Sequence, residues 1–336
     1  NGVKPWLHTL LCAPWTEEGE LRGVIVENKS GRGIIKARMF IDATGDAVLA
    51  DLCGVDCRRA GRDTPHIMPA TLTSLFAGID WARFDRKSQR ADLPRAIDDG
   101  HFTQSDRHLP GMTRIGQTLG YLNGGHVFNL DALRCKDLTD GMILGRKLAV
   151  EYTEYCRKYV PGCEKIEHVT TAPLMGIRES RRIVGEYELC LADCLARRQF
   201  ADQVGVFNKY VDIHPLDTSA AEWQRFQREH EQLNLKPGEC YGLPYGMIVP
   251  EGWSNLWVAG RCASSDVAVH GSVRVQPAAA MMGQAAGTAA VQSIRTGQPA
   301  CDLDTSALVQ MRREHGAYLP QETLQREMTR QISPPA

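Results

Sequence analysis

Residues 253–293, WSNLWVAGRCASSDVAVHGSVRVQPAAAMMGQAAGTAAVQS, constrain the fold of this chain more than any other stretch. The apolar run Asn255-Leu256-Trp257-Val258-Ala259 stops at Gly260-Arg261, which predicts a buried strand ending in a tight turn. After a loop, Pro277 stands where a helix would begin, a position at which its missing N–H costs little. From there to Ser293 nearly every residue is Ala, Gly, Met, Val or Gln. Ala279, Gly283, Gly287 and Ala290 fall on one helical face. A glycine inside a helix costs about 1 kcal/mol against alanine, so two of them point to close approach. Two readings stand side by side: tight packing of helix on sheet, or the approach of a flat ligand.

With 336 residues, 43% of them hydrophobic, the chain has room for one large domain or two ordinary ones. Its net charge is −1, with basic residues scattered among acidic ones. That pattern argues against a nucleic-acid partner, which needs a clustered basic face. No apolar run reaches the length of a membrane span. The eleven cysteines are irregularly spaced. Cys53/Cys57 and Cys190/Cys194 are each four apart, but no CxxC pair or Cys/His quartet accompanies them, so no metal site is expected. Reduced, mostly buried thiols suit a cytoplasmic compartment. The first residue is Asn1 and no signal peptide is recognisable, so the true N-terminus is expected to lie further upstream.

Taken in order, Trp6–Leu11, 21–27 and 33–38 read as short strands separated by turns, a β-meander. Residues 39–43 (MFIDA) have the character of a buried parallel strand. The run ends in Thr44-Gly45-Asp46 and leads into a helix over 47–53. Strand, glycine turn, helix is how α/β folds offer backbone N–H groups to a phosphate. Further strands are expected at 67–79, 168–172 and 204–207. Helices are expected at 81–99, 138–159, 189–200 and 220–233, with Pro161-Gly162 stopping the second. Residues beyond 298 read as a peripheral tail.

Three stretches together resemble the FAD-dependent oxidoreductase family of the large glutathione-reductase-like and fumarate-reductase-like flavoprotein class. They are FIDATGDAVLADLCG (40–54), PLMGIRESRRIVGEYEL (173–189) and YGLPYGMIVPEGWSNLWVAGR…HGSVRVQPAAAMMGQAAGTAA (241–290). The resemblance implies an α/β fold: a Rossmann-like FAD-binding domain, here partial, with an inserted β-rich (α+β) substrate domain. The implied boundaries are 1–57 and 246–297 for the FAD-binding parts, 58–245 for the substrate or cap domain, and 298–336 for the tail. It implies FAD as cofactor, with Thr44, Gly45 and Asp46 beside the dinucleotide and Gly260 and Arg261 near its ribityl–pyrophosphate region. The Arg274–Pro277 segment would introduce the flavin helix, and Ala278 and Ala279 would offer N–H groups to the pyrimidine end of the ring. A helix N-terminus there has a physical purpose, because reduced flavin carries negative charge at that end.

The family's first strand and G-x-G-x-x-G fingerprint are missing from this sequence. The expectation is therefore a fragment, a cleaved product, or one subunit of a split enzyme whose second chain supplies the N-terminal FAD-binding half. Relatives often carry a His–Glu or similar pair where this chain has Val267-Ala268, and an Arg where it has Gly246. Both departures lie toward the expected substrate side.

Three residues are candidates for contact with a small-molecule substrate: Arg178, Tyr245 and His270. Arg178 would anchor or polarise an acid group, since a guanidinium pairs bidentately and stays charged. His270 would act as a base or donor, and Tyr245 would donate a hydrogen bond over the ring. Each has a packing alternative. For Arg181 and Arg182 the favoured reading is an ion-pair cluster with Glu179 and Glu186. His214 is a further candidate. Cys262 lacks a CxxC neighbour, which argues against disulfide-reductase chemistry. The reading is a FAD-dependent oxidoreductase moving a hydride between a small organic substrate and flavin N5, or else a non-catalytic flavin-fold subunit that needs its partner.

Overall fold

The structure is a computed structural model, which describes residues 2–232 and 235–320, with the side chains of 229–232 outside the description. It divides into two compact units. Unit 1 comprises 1–59, 181–212 and 233–336, and unit 2 comprises 60–180 and 213–232.

Unit 1 opens with β1 (Leu10–Glu17), β2 (Glu20–Asn28) and β3 (Gly31–Lys36), an antiparallel meander in the order β1-β2-β3. The first expected strand begins four residues later than the sequence suggests, at Leu10 rather than Trp6. The short strand β4 (Phe40–Asp42) leads into α1 (Val48–Leu52), and β5 (Cys57–Arg59) follows.

The chain then builds unit 2. The expected strand over 67–79 divides into β6 (Ala70–Thr71) and β7 (Ser74–Ala77). The charged stretch gives two short helices, α2 (Arg86–Ala91) and α3 (Leu93–Asp98), rather than one. Pro94 falls in the first turn of α3, where a proline is tolerated. Next come β8 (Thr113–Arg114), β9 (Gly120–Leu122), β10 (His126–Val127), the long α4 (Cys135–Tyr159) and β11 (Glu167–Thr171). The sheet runs β11-β7-β9-β8, with β10 paired to β6. α4 shows the expected periodicity, burying Leu148, Tyr152, Tyr155 and Cys156 against Phe76, Ile79, Leu122 and Ile166.

Returning to unit 1, β12 (Arg181–Ile183) pairs with β5, and α5 (Leu191–Leu195) precedes β13 (Gln203–Phe207). α5 has five residues where a longer helix over 189–200 is expected. Unit 2 then gains α6 (Ala220–Gln232). The remainder belongs to unit 1: β14 (Tyr241–Pro244), β15 (Leu256–Val258), α7 (Val267–Val273), α8 (Gln276–Thr296) and α9 (Thr305–Glu314).

One pairing matters most. β15 lies parallel to β4 in the register Leu256↔Phe40, Trp257↔Ile41, Val258↔Asp42, as the apolar runs predict. Around them Leu21, Ala47, Leu49, Ile183, Leu256, Val258 and Cys262 form one core cluster. The tail is less peripheral than expected, because α9 buries Leu308, Val309 and Arg312. Residues 321–336 of that tail lie outside the described residues. Among the described residues no helix is long and apolar enough to cross a membrane.

Candidate active site

A single buried carboxylate shapes the turn after β4. Asp42, 1% exposed, accepts through Oδ1 from Thr44 N at 2.9 Å and Thr44 Oγ1 at 2.7 Å. Its Oδ2 accepts from Ala50 N at 3.0 Å, and Thr44 Oγ1 accepts from Val48 N at 3.0 Å. Asp42 and Thr44 therefore satisfy the Val48 and Ala50 N–H groups in the first turn of α1, where helices ordinarily leave such donors unpaired. The sequence points to this turn as a phosphate cradle; its geometry is that of a self-capped corner.

The two glycines at the strand ends have separate reasons. Gly45 has φ +79°, and a Cβ there would lie 2.6 Å from Arg261 Nη1. Arg261 crosses the turn to pair with Asp46, both side chains about three-quarters buried. Gly260 has φ +95°, and its Cβ would meet only Ala279 Cβ at 3.8 Å. The C-terminal ends of β4 and β15 thus carry two left-handed glycine turns, the first covered by Arg261 and the second open beside Ala279, at the edge where α/β sheets bind ligands.

α8 starts one residue earlier than the sequence suggests, with Gln276 first and Pro277 second. Ala279 N donates to Val275 O at 3.0 Å, so Ala279 is already inside the helical ladder. Pro277 has no N–H, which leaves those of Gln276 and Ala278 ahead of the ladder. The pair of donors at the helix start is therefore Gln276 and Ala278, in place of Ala278 and Ala279. The small face also differs from expectation. Added Cβ atoms at Gly283 and Gly287 would meet nothing within 4 Å. The helix packs through a neighbouring face, with Ala278, Met282, Ala285, Ala286 and Ala289 buried. On the small face Ala279 lies against Gly260 and Ala290 is buried, while Gly283 and Gly287 between them face open space.

α7, which the sequence suggests is a loop, is fixed by Asp266. Its carboxylate accepts from Val269 N at 2.7 Å and from Leu191 N at 2.6 Å. His270 lies in α7 at 1% exposure, one turn before Arg274. Gly271 must be glycine, since a Cβ would lie 2.9 Å from Asp212 O. Asp212 receives Arg274 Nη2 on its carbonyl and carboxylate at 3.4 Å each, and Lys209 Nζ at 3.2 Å. Burial holds the Lys209 ammonium below its ordinary pKa despite Asp212. Ser272 Oγ donates to Lys209 O and accepts from Tyr241 OH, both at 2.7 Å. Lys209 and Asp212 carry no signature in the sequence, because only the fold brings residues 209–212 to the α7–α8 joint.

The other candidates are held inside their own units. Tyr245 donates to Ala300 O at 2.9 Å and accepts from Trp257 Nε1 at 2.8 Å, and burial raises its pKa. Its hydroxyl is thus engaged in both directions, which is the packing alternative. Arg178, 6% exposed, donates to Pro69 O and to Thr71 Oγ1 (2.8 Å) within unit 2. Arg181 pairs with Asp51 at 2.8 Å and Arg182 donates to Ser265 O at 3.0 Å. Both are tied into the fold, Arg181 through Asp51 and Arg182 through Ser265. Glu179 accepts from Met68 N. Burial, reinforced by Asp42, pushes the Cys262 thiol up to about 12, so it is no nucleophile near neutral pH. None of the eleven cysteines is in a disulfide.

A family model described as FAD dependent oxidoreductase matches residues 1–311. Among solved structures, one titled "Crystal structure of L-proline dehydrogenase from P.horikoshii" is similar at 13% identity and a TM-score of 0.30. The likeness covers 92% of this chain and 55% of that one, so the chain spans about half the length of the structure it matches. No functionally curated protein matches the chain.

Proposed function

The chain belongs to the FAD dependent oxidoreductase family, and from that membership we propose that unit 1 supplies the isoalloxazine-facing part of a flavin site. One observation carries the reading. The Gly260 turn at the end of β15, which runs parallel to β4 and its Gly45 turn, meets the start of the 21-residue helix α8, with Ala279 against Gly260. At that edge Gly45, Gly260 and Ala279 carry little or no side chain, and the long side chain beside them, Arg261, is folded over Gly45 onto Asp46.

When bound, FAD supplies the redox chemistry, taken here as hydride transfer between a small organic substrate and flavin N5. The chain's own contribution is positioning and electrostatics. The N–H groups of Gln276 and Ala278, with the partial positive charge at the start of α8, stabilise negative charge at the pyrimidine edge. Asp42, through Thr44 and Ala50, holds the first turn rigid. Arg261 closes it through Asp46 and so remains within one side chain's reach of an anionic linker. Arg274, steadied by Asp212, stands at the joint just before α8 as the best-placed cation for an acidic substrate group, with His270 one turn earlier. The reading leaves Arg178 and Tyr245 out of substrate contact.

A second reading rests on its own observation. Among the described residues β4 and β15 pair only with each other, and the α8 stripe at Gly283 and Gly287 faces open space. A further segment or second chain carrying the phosphate-binding half would cover both. The visible spectrum of the purified protein separates the two. Oxidised-flavin bands in the chain alone support the first; bands only when a second chain co-purifies support the second. Protein colourless in both states after incubation with FAD sinks both.

A further inference from the structure

Unit 2 gathers three histidines that lie far apart in sequence. His126 sits on β10, His108 between α3 and β8, and His214 in the segment that leads to α6. His126 Nε2 and His214 Nδ1 are 3.1 Å apart. One nitrogen from each of the three rings lies within 4.8 Å of the others. His126 and His214 are 1% and 6% exposed, and His108 is half-buried, on the more open side.

Behind them stands one carboxylate. Asp106, 5% exposed, lies 3.2 Å from His126 Nδ1 and accepts from His126 N at 3.2 Å and His108 N at 2.9 Å. A carboxylate at Nδ1 selects the tautomer with its proton there, which leaves the Nε2 lone pair pointing at His214. Trp223, Phe226 and Phe128 rings pack around the cluster, at 6.3 and 5.6 Å from His108 and 5.4 Å from His126.

We propose that His108, His126 and His214 bind one divalent first-row transition ion, with Asp106 orienting His126. Imidazole nitrogens suit zinc, iron, nickel and copper. Two nitrogens bound at 2.0–2.1 Å, with angles between octahedral and tetrahedral, stand about 2.9 to 3.4 Å apart, and the His126–His214 pair falls in that window. A carboxylate on the far nitrogen of a ligating histidine is a recurrent support of metal sites. Three protein nitrogens leave a coordination position for water or an anionic oxygen, on the His108 side. The cysteine and histidine spacings do not reveal this set, because three segments of the fold assemble it.

The test uses chelator-treated full-length protein titrated with Zn2+ by calorimetry and with Co2+ by absorbance. The expected result is one ion per chain and a cobalt visible spectrum without a thiolate charge-transfer band. Single His108→Ala, His126→Ala and His214→Ala variants, checked for fold by circular dichroism, should each weaken binding at least tenfold, and Asp106→Asn about 10- to 100-fold. No stoichiometric binding overturns the proposal, as does a thiolate band in the wild-type cobalt spectrum or wild-type affinity in a folded histidine variant. The wild-type spectrum decides the matter even if every variant fails to fold.

Discussion

At the scale of the residue, Gly45 and Tyr245 make opposite arguments. Gly45 needs its left-handed backbone, while the Arg261 guanidinium over it is a flexible end that can shift, so Gly45→Ala should cost about 1 to 2 kcal/mol. Urea denaturation measures this, and a midpoint within error of wild type would refute the account of the turn. Tyr245 is a polar hinge between Trp257 and Ala300. Tyr245→Phe should lose about 1 to 3 kcal/mol of stability while turnover changes less than threefold. A tenfold loss of turnover at unchanged stability would return Tyr245 to the substrate. Neither role is fully written in the sequence. A glycine after Thr44 reads as a turn, but not that Arg261 lies across it. A tyrosine in GLPYGMIVP reads equally as ligand contact or packing, and only its two hydrogen bonds decide.

At the scale of the element, periodicity and punctuation carry most of what the sequence shows. The meander, β4, α4, β15 and α8 are legible because apolar spacing and Gly/Pro stops coincide there, and α6 because its run is polar and helical in composition. α7 is not, since its seven residues rest on Asp266 caps whose partners include Leu191, far away in the chain. The stripe on α8 is legible as a stripe but not as open space, because burial depends on what faces it. Gly283→Ala and Gly287→Ala should together stabilise the chain by about 1 to 2 kcal/mol, since nothing opposes the added methyls. Thermal denaturation of the double variant checks this, and destabilisation would mean the stripe is already covered. Gly287→Leu should leave the chain's own stability within about 1 kcal/mol of wild type. On the second reading it should abolish capture of a phosphate-binding chain in a pull-down. Retained capture by the folded variant would remove the stripe from that interface.

At the scale of the whole molecule, family and α/β class are readable from three ordered stretches, while the site is readable only in outline. The turns and helix proposed to face the flavin are in the sequence, as Gly45, Gly260 and Pro277 show. The supporting set Asp42–Thr44–Ala50 and the Lys209–Asp212–Arg274 joint arise only when separate elements meet. The account stands on the claim that the start of α8 and the Gly260 turn face the flavin ring. Its most direct measurement is flavin per chain in natively purified protein, together with any co-purifying chain, for wild type beside Ala279→Leu. Stoichiometric FAD in wild type and at least a tenfold loss in the variant, with circular dichroism unchanged, is the predicted result. Full flavin content in folded Ala279→Leu protein, or none in wild type even after incubation with FAD, would contradict it.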